Sequence, residues 1–184
     1  MQIGFYFDQT RCTGCSACGV ACKDWHDIAA GPENWMRVIY TEKGRFPNPL
    51  VSYMIAPCWH CIEPVCVEAC PAGAIIKRKE DGIVFVDSDA CLGNAECDEK
   101  CLKACPYDAP QFGPEKGAKM RKCNYCLDRF AEGKLPNCVE ACPVRALDAG
   151  PLSELEKKYG QSREAEGFKY SQKTKPAVVI RPKA

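Results

Sequence analysis

Apolar positions alternate in part along QIGFYFD at the start of the chain, which predicts a strand there. Between Asp24 and Pro57 lies an insertion in which WMRVIYTE and LVSYMI predict two more strands, separated by a Gly and Pro loop. The segment AIIKRKEDGIVFVD, residues 74–87, reads as a hairpin whose two short strands meet at Asp81-Gly82, a pair suited to a type I′ turn. Pro151 to Tyr159 predicts a short helix, with proline at its start, Lys157 and Lys158 in its last turn and Gly160 as its stop. Residues 161–176 are polar and predict an irregular arm, and AVVIRP from Ala177 predicts a last strand.

Cysteine changes this picture. It fills 16 of 184 positions, and it recurs in a repeated unit. CVEACPAGAI from Cys66 and CVEACPVRAL from Cys138 share their first six residues, CLKACPYDA from Cys101 is a shorter copy, and CGVAC from Cys18 keeps the core Cys-x-x-Ala-Cys. The cysteines fall into four sets with none left over: Cys12, Cys15, Cys18, Cys22; Cys58, Cys61, Cys66, Cys70; Cys91, Cys97, Cys101, Cys105; and Cys123, Cys126, Cys138, Cys142. The first has the C-x2-C-x2-C-x3-C spacing of ferredoxins, in which a tight loop wraps three corners of a 4Fe-4S cube and the last cysteine reaches a second cube. Alanines 21, 69, 104 and 141 precede the fourth cysteines, where a larger side chain would crowd a cluster. Pro71, Pro106 and Pro143 follow them and are expected near helix starts, whereas Lys23 follows Cys22. All sixteen cysteines are therefore the candidate metal ligands.

The formal charge of +1 counts every thiol as neutral. Four oxidised clusters, each about −2 with its thiolates, would bring the total to about −7. Basic and acidic residues are interspersed without a sustained basic run, so nucleic-acid binding is not expected. No signal peptide and no membrane-spanning run are read, and a cytoplasmic location, where thiols stay reduced, is expected.

The motifs RCTGCSACGVACKDW, CWHCIEPVCVEACPAGAI, ACPYDAPQFG, KCNYCLDRFAEGKLPNCVEACPVRAL and DAGPLSELEKKYG resemble the four-cluster ferredoxin-like electron-transfer subunits of molybdenum and tungsten oxidoreductases, of the dimethyl sulfoxide reductase type. The resemblance implies an α+β fold of tandem ferredoxin-like lobes with short strands and short helices. It implies a double ferredoxin-like domain over 1–150, and over 151–184 a C-terminal helix and arm that either packs on its own domain or grips a partner. It also implies interleaved clusters on Cys12, Cys15, Cys18 and Cys142; on Cys22, Cys123, Cys126 and Cys138; on Cys58, Cys61, Cys66 and Cys105; and on Cys70, Cys91, Cys97 and Cys101. The expected partner is a larger catalytic subunit carrying tungstopterin or molybdopterin, with room for a further redox subunit. The third set departs from the family: in CLGNAECDEKCLKACP, Asn94 stands where the second cysteine would fall and extra residues precede Cys105. A complete cluster on a longer loop is expected there, against a vacant, three-iron or otherwise ligated site. In that set the chain resembles the small subunit of tungsten class II benzoyl-coenzyme A reductase, with the bacterial aldehyde oxidoreductase subunit as its rival.

Zinc is the competing metal for C-x2-C pairs, but three sets end in Cys-x3-Cys-Pro and the first has the full ferredoxin run. His60, between Cys58 and Cys61, has the chemistry of an iron ligand but stands beside a full cysteine set. His26 is read as packing or hydrogen bonding, and Trp25, Trp35 and Trp59 as core aromatics or shields around clusters. No nucleophile triad, phosphate loop or paired-carboxylate signature stands out, so the chain is expected to move electrons and to catalyse no bond rearrangement itself. A free polyferredoxin carrier is the rival to a subunit; the long insertion and the C-terminal arm favour the subunit.

Overall fold

A computed structural model describes residues 1–183. In chain order the elements are β1 (Ile3–Asp8), α1 (Ala17–Trp25), β2 (Arg37–Lys43), β3 (Leu50–Ala56), α2 (Val65–Ala69), β4 (Ile75–Lys77), β5 (Val84–Val86), α3 (Asn94–Cys97), α4 (Lys100–Ala104), α5 (Leu127–Ala131), α6 (Asn137–Glu140), β6 (Leu147–Pro151), α7 (Leu152–Tyr159) and β7 (Val178–Arg181). The fold is α+β, with three small sheets and short helices, arranged as tandem ferredoxin-like lobes.

β1 is central. It pairs antiparallel with β6, from Ile3 opposite Pro151 to Phe7 opposite Leu147, and parallel with β7, from Phe5 opposite Val178 to Asp8 opposite Arg181. All six of its residues are buried, because both faces are covered. Ile3, Phe5 and Phe7 face a core with Trp59 and Tyr125, while Tyr6 packs with Leu152 and Leu155 of α7 and with Val179. Each such aromatic burial contributes about 2–3 kcal/mol. Gly4 is required for a steric reason: a Cβ there would lie 2.3 Å from the carbonyl oxygen of Ala177. The last strand thus folds back on its own domain.

The two lobes repeat one plan. In one, α1 packs on α6 beside β1 and β6; in the other, α2 packs on α4 beside the β4–β5 pair. The second lobe has its own small core of Ala74, Ile75, Val84 and Met120 around Cys91 and Cys101. The insertion forms β2 and β3, paired antiparallel from Arg37 opposite Ala56 to Lys43 opposite Leu50.

Two local expectations are corrected. β4 and β5 form, but no type I′ turn joins them. Of Asp81 and Gly82 only Gly82 has positive φ, at 76°, and the loop closes instead through Arg78 N–H to the Ile83 carbonyl at 2.8 Å and Gly82 N–H to the Arg78 carbonyl at 3.1 Å. Asp81 is held by Arg78 at 3.0 Å and accepts the Ile83 amide, also at 3.0 Å, which suits the longer glycine-closed hairpin loop. The prolines after the fourth cysteines do not open helices. Cys70 and Cys105 are the C-caps of α2 and α4, and Cys142 follows the C-cap of α6, so Pro71, Pro106 and Pro143 stop helices that cannot continue through a proline. The same rule explains Lys23. With no proline after Cys22, α1 runs on to Trp25 and is nine residues long, against five for α2 and α4.

Candidate metal centres

All sixteen cysteines are free thiols, nine of them buried and Cys15 exposed. Among the described residues no three His, Cys, Asp or Glu side chains are grouped as they would be around one metal ion. Four thiolates on a single zinc must converge on Zn–S bonds of about 2.3 Å. A four-iron cube holds its thiolates on separate corners, and two groups of four cysteines here line apolar cavities.

One small cavity is lined by Cys12, Cys15, Cys18 and Cys142, with Phe7, Val38 and Ile55 among its apolar walls. Three of these cysteines come from the loop entering α1, which turns through Gly14 at φ 71° and Ser16 at φ 60°. The fourth arrives from beyond α6, and its sulfur accepts the Ala146 amide at 3.3 Å. A second small cavity is lined by Cys70, Cys91, Cys97 and Cys101, walled by Ile75, Phe112 and Met120. The Met120 amide donates to the Cys91 sulfur at 3.4 Å.

Three cysteines of the irregular third set, Cys91, Cys97 and Cys101, are therefore drawn around one cavity with Cys70 of the second set. Asn94 does this work from the place of the missing cysteine: its Oδ1 accepts the Gly117 amide at 2.7 Å and its Nδ2 donates to the Glu115 carbonyl at 3.2 Å. Gly93, at φ 88°, permits the close approach, since a Cβ would sit 2.4 Å from the Gly117 oxygen. The extra residues are absorbed at Asp98 and Glu99, consecutive left-handed residues at φ 53° and 51° between α3 and α4. Left-handed backbone costs a non-glycine residue about 1–2 kcal/mol, so tertiary packing holds this kink.

No single cavity collects the other eight cysteines; their thiols are raised by burial and by one another, with neighbours drawn from more than one set. Burial pushes the Cys61 thiol up to about 12, followed by the repulsion of Cys58, with Cys105 and Cys66 adding smaller amounts. Burial likewise raises Cys66 to about 12, followed by Cys58, against the lowering charge of Lys122, with Cys105 and Cys101 adding less. Burial raises Cys138 well above the ordinary thiol range, with Cys123, Cys126, Cys22 and Cys18 adding in that order. Cys22, pushed up to about 12 by burial, meets Cys126 first among its charged neighbours. These cavities and groupings fit cubes ligated by thiolates: four sulfurs around an apolar space, with backbone donors aimed at sulfur. When bound, a 4Fe-4S cluster takes up and releases one electron.

Sequence reasoning weighed His60 only as a ligand. It is fully buried, with Nδ1 accepting the Val84 amide at 3.0 Å and Nε2 3.7 Å from the Cys123 sulfur. His26 packs at a tilt against Trp35, with ring centroids 4.7 Å apart, and places Nε2 3.4 Å from the Cys126 sulfur. Trp59 is a core residue, 1% exposed, whereas Trp25 is 42% exposed and donates to Asp128. Two groups carried no sequence signal. Lys122 is buried, with Nζ donating to the carbonyls of Val84 and Cys123, and among the described residues no carboxylate pairs with it. The Tyr125 hydroxyl donates to the Gly4 carbonyl at 3.0 Å, tying the cysteine loop to β1.

A tandem ferredoxin-like fold built around cysteine-lined apolar cavities defines an iron–sulfur electron-transfer protein, and 4Fe-4S dicluster domain profiles match residues 50–152 and 11–74. The chain is 46% identical to a polypeptide of the anaerobic dimethyl sulfoxide reductase of Escherichia coli K12, covering 100% of this chain and 90% of that one. It is 36% identical to a sulfite dehydrogenase subunit of Allochromatium vinosum, over 99% of this chain and 83% of the relative. Identity to the thiosulfate reductase electron transfer subunit PhsB of Salmonella typhi is 40%, over 84% and 79% of the two chains. This protein belongs to the family of iron–sulfur subunits of the dimethyl sulfoxide reductase type.

Proposed function

We propose that this chain holds four 4Fe-4S clusters and relays single electrons to or from a larger catalytic subunit carrying a molybdenum or tungsten pterin. The observation that carries the reading is the interleaving of distant cysteines. Cys142 lines a cavity with Cys12, Cys15 and Cys18, and Cys70 lines one with Cys91, Cys97 and Cys101. An arrangement in which each lobe is closed by a cysteine from elsewhere in the chain keeps the sites close together, as a relay needs. The full-length likeness to the dimethyl sulfoxide reductase polypeptide supports a molybdenum partner of that type, with sulfur-compound reductases and dehydrogenases as the neighbouring classes.

A tungsten partner, such as class II benzoyl-coenzyme A reductase or an aldehyde oxidoreductase, is the second reading, and the Asn94 loop of the third set favours it. Residues 151–184 would then contribute partner contacts from the exposed parts of α7 and the arm. No helix among the described residues is long and apolar enough to cross a membrane, and a cytoplasmic location belongs to the same proposal.

Iron and acid-labile sulfide per chain, measured on anaerobically purified protein together with the copurifying polypeptides and their metal, test the whole reading. About sixteen irons per chain with a large molybdenum polypeptide is the expected result, and tungsten in its place selects the second reading. A clean, redox-active monomer would mean a free polyferredoxin. Zinc without sulfide would overturn the reading.

A further inference from the structure

We infer that His60 sets the reduction potential of the cluster site formed by Cys22, Cys123, Cys126 and Cys138, through a fixed Nε2–H hydrogen bond to the Cys123 sulfur. The inference rests on the cluster grouping proposed above. His60 belongs by sequence to the neighbouring set, between Cys58 and Cys61. Its backbone is left-handed, at φ 44°, and its ring points at Cys123.

The tautomer follows from the contacts. The Val84 amide reaches Nδ1 at 3.0 Å, and a backbone N–H can only donate, so Nδ1 carries a lone pair and the ring proton sits on Nε2. Nε2 lies 3.7 Å from the Cys123 sulfur. The ring is boxed in by Tyr125, edge-on at 5.5 Å, and by Phe5 at 6.3 Å, and it has no exposed surface. It therefore acts as a built-in donor that does not compete with water.

A second observation points to the same site. The chain has two histidines, and the other, His26, aims its Nε2 at Cys126, 3.4 Å away. The Tyr125 amide adds a donor to Cys123 at 3.4 Å. A donor to a ligating sulfur stabilises the reduced state more than the oxidised one, because reduction adds a negative charge that the thiolates share. His60 thus biases one site of the four towards holding the electron.

The test begins with iron and sulfide on the wild-type complex, followed by EPR-monitored potentiometric titration of wild type, His60→Phe and His60→Gln. In His60→Phe one potential should fall while the other three stay. His60→Gln, which offers both an acceptor for Val84 and a donor for sulfur, should recover part of the shift. In a His26→Phe background labelled with 15N-histidine, pulsed EPR of the reduced protein should retain one nitrogen coupling, and His60→Phe should abolish it. Four unmoved potentials at full iron content would overturn the inference, and so would the absence of a coupling in the His26→Phe protein, should His60→Phe lose iron. A wild-type preparation without four clusters would instead sink the reading beneath it.

Discussion

Replacing Cys142 by alanine separates the interleaved arrangement from a local one. By sequence Cys142 closes the set that begins at Cys123. In the structure its side chain lines the cavity of Cys12, Cys15 and Cys18, while Cys138 faces Cys123, Cys126 and Cys22. On the proposed grouping Cys142→Ala removes one of four ligands from the N-terminal site and none from the other. Its direct folding cost is small: the Ala146 amide loses its sulfur acceptor at 3.3 Å, about 1 kcal/mol by analogy with a neutral hydrogen bond. The metal cost is large, because the site would keep three of four ligands and lies open on the side of the exposed Cys15. Loss of that cluster takes iron from about sixteen to about twelve per chain, and loss of a single corner iron takes it to about fifteen. Native alkylation under anaerobic conditions followed by peptide mass mapping locates the damage. Cys12, Cys15 and Cys18 should become labelled while Cys123, Cys126 and Cys138 stay protected. Labelling of the latter three, with the N-terminal set protected, would refute the interleaving.

Gly4→Ala should lower unfolding free energy by about 2 kcal/mol or more, because the new methyl meets the Ala177 carbonyl at 2.3 Å and must part β1 from β7; an anaerobic urea titration with an unchanged midpoint would contradict this. Tyr125→Phe removes the buried hydroxyl bond to the Gly4 carbonyl and should cost about 1–2 kcal/mol in the same assay, with iron content retained. Lys122→Met removes a buried ammonium whose charge eases ionisation at Cys66, so the potential of the cluster beside Cys66 should fall; an unmoved titration curve would count against that role. Burial raises the thiols of Cys18 to about 11 and of Cys22, Cys61, Cys66 and Cys101 to about 12. Protons therefore compete with iron for these sulfurs, and cluster loading must release them. Iron retention, followed by the visible absorbance of the clusters, should decrease as pH is lowered, and retention that improved on acidification would reverse the argument.

The sequence by itself determined the class of metal centre and most of the local elements. Sixteen cysteines in four sets, with the repeated Cys-x-x-Ala-Cys core, specify iron–sulfur chemistry because ligand spacing within a tight loop is a local property. The strand at QIGFYFD, the two strands of the insertion, the helix from Pro151 and the strand near Ala177 were legible for the same reason: apolar alternation and stop residues act over a few neighbours. The Asp81-Gly82 turn was misjudged because the Arg78–Asp81 ion pair and the glycine-closed loop compete with the two-residue hairpin. The prolines were misassigned because position relative to a cysteine does not reveal which side of it the helix lies on.

Tertiary structure alone decided what encloses the sulfurs. The path of β7 back onto β1 depends on Gly4 having no side chain beside Ala177. The closure of the third set depends on Asn94 binding a segment more than twenty residues away. The Nε2 positions of His60 and His26, and the burial of Lys122, depend on contacts across 63, 100 and 38 residues of sequence. Spacing along a chain selects a metal; only the packing that brings remote donors to a sulfur, away from water, sets how strongly each site holds an electron.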